Sequence, residues 1–290
     1  MNWSSIVTTQ PLPTWQIRNS TLVWGQRTYL MGVLNVTPDS FSDGGQFNTL
    51  ETALKQARSL ITAGADLLDI GGQSTRPQAD EISLEAELSR VIPIIQAVRQ
   101  ESDIPISIDT TRAAVATAAI AAGADVVNDI SGGSFDPEMF PTVAKLGVPV
   151  ILMHIRGTPK TMQQLTDYRD LMGEITEFLQ HQVEQAIACG VDPSRIAIDP
   201  GIGFAKTYEQ NLEILRRLAE FRMLHCPILV GVSRKSFIGH ILNQPDPQQR
   251  VWGTAAACSA AIAGGADILR VHDVQAMRDV CQVTDAIWRR

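Results

Sequence analysis

The sequence of 290 residues lacks the features that mark exported, membrane-spanning or disulfide-bonded proteins. Its N-terminus, MNWSSIVTTQ, has no basic segment followed by an apolar run, and no apolar stretch approaches the length needed to cross a bilayer. The cysteines are few and dispersed, with no paired spacing: Cys189, Cys226, Cys258 and Cys281. We therefore expect a soluble, cytoplasmic protein whose thiols stay reduced and hold no metal.

Basic charge is also scarce. The chain has 24 Lys and Arg against 31 Asp and Glu, giving a net charge of -7 and a pI near 5.2. This balance argues against nucleic acid or an anionic membrane as the principal partner, and an anionic small substrate would need a local cationic pocket. His-x-x-x-His and Cys-x-x-Cys spacings are missing, so any metal should have oxygen ligands. A Gly-x-Gly-x-x-Gly turn after the first strand is also missing, which disfavours a dinucleotide site.

What the chain does have is a regular alternation of short apolar runs and longer helical segments from about residue 29 onward. The runs predict eight strands, at 29–35, 66–70, 105–109, 125–129, 149–154, 195–199, 227–232 and 267–271. Helical spacing is clearest at 50–63, 84–100, 165–189 and 251–263. Similar links, Ala-Gly-Ala-Asp at 63–66 and 122–125 and Gly-Gly-Ala-Asp at 264–267, indicate one repeated βα module.

Eight βα modules with no linker between them predict a single α/β domain, a (β/α)8 TIM barrel, rather than an open doubly wound sheet or two domains. We assign the catalytic barrel to residues 29–290. Residues 1–28, with a short hairpin-like segment around 15–24, form an N-terminal segment expected to cap the base of the barrel.

The first predicted strand runs into a long polar loop. The segment MGVLNVTPDSFSDGG, residues 31–45, passes from a buried strand into closely spaced hydrogen-bonding side chains and two glycines. A loop of this length that is neither Pro-rich nor low-complexity favours a functional role over that of a solvated connector.

Polar residues also follow nearly all of the remaining predicted strands, at the strand ends where barrel enzymes build their sites. They are Asn35; Asp69 with Ser74, Thr75 and Arg76; Asp109; Asn128 with Asp129; Met153 with His154 and Arg156; Asp199; Ser233 with Arg234 and Lys235; and Arg270 with His272. A single such residue is more often a helix cap or a turn former. So many converging on one mouth favour a binding site.

Their chemistry divides into two halves. Carboxylates, an amide and an ammonium suit a flat, nitrogen-rich heterocycle, and this half comprises Asp109, Asn128, Asp199 and Lys235. An amide oxygen with cationic or neutral donors suits an anionic leaving group with a hard divalent ion, most simply Mg2+, and this half comprises Asn35, Arg270 and His272.

Taken in order, eight segments resemble the successive motifs of the dihydropteroate synthase family, which are pterin-binding TIM-barrel enzymes. The segments are MGVLNVTPDSFSDGG (31–45), LLDIGGQSTRP (67–77), ISIDTTR (106–112), VVNDISGG (126–133), VILMHIRGTPKTMQ (150–163), AIDPGIGFAKT (197–207), VGVSRKSFIG (230–239) and LRVHDV (269–274). The resemblance implies a homodimeric transferase of folate biosynthesis and a target of sulfonamides. It would condense 6-hydroxymethyl-7,8-dihydropterin diphosphate with 4-aminobenzoate.

The resemblance also implies roles for matching positions. Catalysis would rest on Asp39, Lys235, Arg270 and His272, and Asn35 would help to hold Mg2+. The implied substrate-binding set is Phe41, Thr75, Arg76, Pro77, Asp109, Asn128, Met153, Asp199, Phe204, Gly231, Lys235, Ser236, Arg270 and His272. Within it, Phe41, Thr75, Pro77, Lys235 and Ser236 would shape the aminobenzoate subsite. The chain departs from the family pattern at Gln73, often Glu, and at Gln78, often Gly.

Two alternatives remain. A pterin-binding methyltransferase domain would share the barrel and the Asp and Asn contacts, but the loop sequences TPDSFSDGG and STRP, and Lys235 within SRKS, favour the synthase. A noncatalytic pterin-binding protein would lack the diphosphate ligands, whereas Asn35, Arg270 and His272 are all present.

Overall fold

The computed structural model describes residues 12–36, 46–75 and 79–289, with the backbone alone for 46–49. Two antiparallel strands come first, β1 (Trp15–Ile17) and β2 (Ser20–Leu22). The remaining strands are β3 (Tyr29–Asn35), β4 (Leu67–Gly71), β5 (Ile106–Asp109), β6 (Val126–Asp129), β7 (Val150–Met153), β8 (Ile196–Asp199), β9 (Leu229–Val230) and β10 (Ile268–Val271).

Strands β3 to β10 form one parallel sheet that closes on itself. Each strand pairs with its neighbours in sequence from β3 to β8, and β10 pairs with both β3 and β9. A parallel bridge between Ile198 and Ile228 joins β8 to the segment entering β9 and completes the ring. The predicted (β/α)8 barrel is confirmed.

Helices surround the barrel in the order α1 (Gln46–Ala63), α2 (Leu84–Glu101), α3 (Ala113–Ala122), α4 (Met139–Leu146), α5 (Leu171–Ala188), α6 (Tyr208–Arg216), α7 (Ser236–Ile241), α8 (Val251–Ala263) and α9 (Val274–Trp288). Not one of these described helices has both the length and the apolarity to cross a membrane. The prediction that a helix begins at residue 165 is wrong. The side chain of Asp170 accepts a hydrogen bond from the Gly173 N–H at 3.1 Å, and this cap starts α5 at Leu171.

The repeated links into β4, β6 and β10 share one device. The aspartate that ends each link accepts a backbone N–H from the neighbouring strand or the segment entering it: Asp66 from Leu30 at 2.8 Å, Asp125 from Ile106 at 2.9 Å and Asp267 from Ile228 at 3.0 Å. Each of these carboxylates also faces an arginine within 4 Å. The sequence repeat is therefore a repeated tie between adjacent strands at the base of the barrel.

The β1–β2 hairpin covers that base. Trp15 and Trp24 pack edge to face with ring centroids 5.1 Å apart, and both belong to a buried cluster with the inward-facing Met31 and Leu67. The indole N–H of Trp15 donates to the Ser194 carbonyl at 2.9 Å. The hairpin was predicted; the division of the chain at residue 28 stays a prediction.

Candidate functional site

The predicted polar residues come together at the C-terminal mouth of the barrel. Asp109 and Asp199 end β5 and β8, and Asn128 is the last but one residue of β6. Arg270 lies within β10. Because side chains alternate along strands that tilt around a barrel, residues near the ends of different strands converge on its axis. The carboxylates and the amide are buried, so their polar atoms need partners within the protein or from a ligand.

Arg270 lies at the centre of this group. Its Nε donates to Asp69 Oδ2 at 2.6 Å and its Nη2 donates to Asp109 Oδ2 at 2.8 Å. Asn128 Nδ2 also donates to Asp69 Oδ2, at 3.2 Å. The structure thus places Arg270, predicted for the diphosphate half, directly against Asp109 of the heterocycle half. The two halves share one guanidinium.

Lys235 approaches from the mouth, where it caps α7. Its Nζ lies 4.3 Å from the centroid of the Phe204 ring. Phe204 and Met153 belong to one small buried cluster, as expected for residues that line the same pocket. Gly203 has φ +82°, and a Cβ there would lie 3.1 Å from Lys235 Cδ, so this glycine lets the lysine pack closely against the turn after β8.

A second lysine lies on the other side of the same turn. Lys206 is buried, and its Nζ donates to the Phe204 carbonyl at 2.9 Å and lies 3.0 Å from His154 Nδ1. Asp199 Oδ1 accepts the Gly201 N–H at 2.7 Å. The buried acids Asp69, Asp109 and Asp199 are thus accompanied by three cations, of which Lys206 is buried and Arg270 and Lys235 are partly exposed.

Burial shifts these groups toward their neutral forms. It raises the pKa of Asp109 to about 7, with Arg270 opposing the shift and Asp69 adding to it. It raises the pKa of Asp199 to about 6 and lowers the pKa of Lys235 to about 8. Three groups of the site thus titrate close to neutral pH.

His272 is held by Ser233. Its backbone N–H donates to Ser233 Oγ at 3.1 Å, and its Nδ1 lies 3.0 Å from the same oxygen. Burial, then the positive charges of Arg270 and Arg234, lower the pKa of His272 to about 3. The imidazole is therefore neutral at physiological pH and offers an N–H donor rather than a positive charge.

Other predicted site residues lie around the rim. Asn35, at the end of β3, and Thr75, after β4, are half-buried, and Ser236 is exposed at the first position of α7. Gly231 follows β9, and a Cβ there would lie 3.8 Å from Arg270 Cβ. Asp39, Phe41, Arg76 and Pro77 lie outside the described residues.

Two members of the buried group were not assigned a role from the sequence. Asp69 is a strand-end residue in the sequence pattern, and a lone carboxylate inside the apolar run LLDIG is itself a signal for an inward-facing partner of a cation. Lys206 carries no such signal, because a lysine after a loop motif is usually solvated.

The chain is similar in sequence and fold to known pterin-binding enzymes. The family model for pterin binding enzymes matches residues 31–272. A dihydropteroate synthase from Synechocystis is 62% identical over 279 residues, which cover 96% of each chain. The Yersinia pestis dihydropteroate synthase, solved with a sulfonamide drug, is 44% identical with a TM-score of 0.89, covering 94% of this chain and 98% of that one. The Xanthomonas albilineans enzyme, solved with 7,8-dihydropteroate, is 39% identical with a TM-score of 0.86, covering 95% and 98%.

Proposed function

The chain belongs to the pterin-binding enzyme family, and on that premise we propose that it is a dihydropteroate synthase. It joins 6-hydroxymethyl-7,8-dihydropterin diphosphate to 4-aminobenzoate and releases 7,8-dihydropteroate and diphosphate. The observation that carries this assignment is the convergence of Asp109, Asn128, Asp199, Lys235 and Arg270 at one barrel mouth, where the two carboxylates and the amide are buried and Arg270 donates to Asp109.

The hydrogen-bonding side chains of this site match the edge of a pterin. Carboxylates accept hydrogen bonds only, so Asp109 and Asp199 suit the ring N–H and amino groups, while Asn128 both donates and accepts. Lys235 donates to a ring nitrogen or carbonyl. Phe204 and Met153 supply the apolar wall that a flat heterocycle needs.

The reaction breaks the bond between the pterin methylene and the diphosphate oxygen, and that oxygen keeps the electron pair. A bond forms between the methylene and the nitrogen of aminobenzoate, which then loses a proton. Aromatic amines are weak nucleophiles, so bond breaking leads, and Arg270 with the N–H of His272 stabilises the departing anion. The amine attacks the methylene carbon directly, so the reaction needs no side-chain nucleophile, and Ser233 Oγ instead accepts the His272 backbone N–H at 3.1 Å.

Mg2+ is part of this proposal. Within the described ranges, no group of three or more His, Cys, Asp or Glu side chains could hold a metal. Mg2+ is often held by one or two protein oxygens together with substrate phosphates, so the half-buried amide of Asn35 at the barrel mouth fits that chemistry. When bound, the ion neutralises charge on the diphosphate.

We further propose a homodimer in a reducing, cytoplasmic setting. Large apolar side chains stand exposed on the outer surface of α7 to α9: Ile241, Leu242, Trp252, Val283, Ile287 and Trp288. Trp252 is 79% exposed, which is unusual unless a partner covers it. The four cysteines are free thiols, which supports the reducing setting.

The test is a coupled assay for 7,8-dihydropteroate with both substrates, in Mg2+ and in excess EDTA. We expect turnover with Mg2+, nearly none with EDTA, and inhibition by a sulfonamide. Arg270→Met should lose activity, whereas Arg58→Met, which removes an exposed guanidinium from α1, should not. Pterin binding without product formation would contradict the assignment, and full activity in EDTA would contradict the metal requirement.

A further inference from the structure

Lys206 is a buried basic side chain beside the site that the reaction as described above does not use. Its exposed fraction is 3%, and it follows Phe204 by two residues at the end of the turn after β8. The ammonium has two close acceptors, the Phe204 carbonyl at 2.9 Å and His154 Nδ1 at 3.0 Å. Both are neutral, because burial and then Lys206 itself lower the pKa of His154 to about 2. A buried ammonium needs a negative partner to remain charged.

Asp199 is the carboxylate whose charge favours the ammonium of Lys206. The charged groups that face Lys206 are Asp199, which favours the ammonium, and Lys235 and Arg156, which oppose it. Gly201 connects the two sites: its N–H donates to Asp199 Oδ1 at 2.7 Å, and a Cβ on it would lie 3.3 Å from Lys206 Nζ. The turn after β8 is thus packed against Lys206 at Gly201 and against Lys235 at Gly203.

We propose that Lys206 is a positioning residue of the pterin site, whose ammonium, held by His154 and the Phe204 carbonyl, keeps the Asp199 carboxylate ionised for the pterin N–H groups. The proposal rests on the proposed function, since it concerns how the same pocket binds its pterin. Lys206 itself need not touch the substrate.

The proposal has a pH signature. Asp199, which Lys235, Lys206 and Arg270 all face, has a pKa of about 6, and Lys206 has a pKa of about 7. Both charges coexist mainly between those values. Removing the Lys206 charge should raise the pKa of Asp199, so that protonation weakens pterin binding at a higher pH than in the wild type. Lys235, which faces Lys206, has a pKa of about 8 and so titrates above the acid midpoint, and Asp109 contributes to the acid limb in wild type and variant alike. The difference between the two acid midpoints therefore reports on Lys206.

The experiment is calorimetric titration of 6-hydroxymethylpterin from pH 5.5 to 7.5. Lys206→Met removes the charge at similar volume, Lys206→Gln keeps a hydrogen-bond donor without charge, and Lys145→Met removes an exposed ammonium from the last turn of α4 as a control. In both Lys206 variants we expect the acid midpoint of pterin affinity to rise by about one pH unit, with binding at pH 6 about fivefold weaker. The difference in pterin affinity between wild type and these variants should narrow toward pH 7.5, where wild-type Lys206 also loses its proton.

Unchanged acid midpoints of pterin affinity in both variants would overturn the proposal. A wild-type pH profile in Lys206→Gln would overturn it too, because the hydrogen bond of residue 206 would then be sufficient without the charge. If wild-type protein fails to bind the pterin, the proposed function itself fails. A reciprocal measurement needs no Lys206 variant: NMR titration of the Lys206 Cε should give a lower pKa in Asp199→Asn than in wild type. An equal pKa would also overturn the proposal.

Discussion

At the scale of single residues, the shared guanidinium of Arg270 decides how the site responds to protons. One cation faces two carboxylates, Asp69 at 2.6 Å and Asp109 at 2.8 Å, so the second negative charge is only partly compensated. Burial without full compensation explains why the pKa of Asp109 rises to about 7 despite the direct contact.

A bell-shaped pH profile is therefore expected for kcat/KM of the pterin substrate. The acid limb should have an apparent pKa between about 6 and 7, because Asp199 and Asp109 must lose protons to accept from the pterin. The alkaline limb should lie near 8, because Lys235 must keep its proton to donate. Lys235→Arg, which cannot deprotonate in this range, should remove the alkaline limb even if it lowers the rate. An alkaline limb unchanged in that variant would assign it to another group.

Asp199→Asn should weaken pterin binding with little change in fold. The amide presents a donor to a pterin N–H, and a buried mismatch costs about 1 to 3 kcal/mol. Calorimetric titration of a pterin measures the loss, with Asp279→Asn, an exposed carboxylate on α9, as the control. Wild-type affinity in Asp199→Asn would mean that Asp199 only fixes the turn through Gly201.

At the scale of elements, the turn after β8 carries its own test. Gly203 and Gly25 both have φ +82°, but a Cβ at Gly203 would lie 3.1 Å from Lys235 Cδ, whereas at Gly25 nothing lies within 4 Å. Replacing either glycine with alanine should cost about 1 kcal/mol of folding free energy through backbone strain. Only Gly203→Ala should also weaken pterin binding, because Lys235 must shift. Denaturant melts and pterin titrations separate the two effects, and equal pterin affinity in both variants would contradict this role for Gly203.

The sequence predicts the existence of the strands and helices better than it predicts where they begin. The strands were found because buried parallel strands are continuous apolar runs, but Asp66, Asp125 and Asp267 were wrongly included at their starts. These carboxylates accept hydrogen bonds from backbone N–H groups of adjacent chain segments, and a local sequence pattern does not reveal such tertiary contacts. The start of α5 was missed for a related reason, since a cap such as Asp170 competes with periodicity.

The sequence predicts those site residues whose position follows from the order of the strands. Asp109, Asn128 and Asp199 were found because strand ends of a barrel must converge. The contact between Arg270 and Asp109 is not predictable from the sequence, because it depends on how far one side chain reaches across the barrel. The burial of Lys206 depends on the backbone path after β8, where Ala205 has a positive φ of 51°.

At the scale of the whole molecule, the apolar surface on α7 to α9 predicts the association state. Trp252→Glu should shift the protein from dimer toward monomer, because a charge would be buried against the partner. Met223→Glu, which replaces another exposed apolar side chain, on the segment Leu218–Leu224, should leave the dimer intact. Sedimentation velocity over a range of protein concentrations measures both. A wild-type protein that sediments as a monomer would contradict the dimer.

The guanidinium that two buried carboxylates share restricts how this site can evolve. Loss of Arg270 would leave Asp69 and Asp109 buried without the cation that both of them contact. An uncompensated buried charge is more destabilising than the loss of the whole group of charges. Viable descendants that lose Arg270 should therefore also lose one of these two acids, whereas single substitutions should accumulate at the rim.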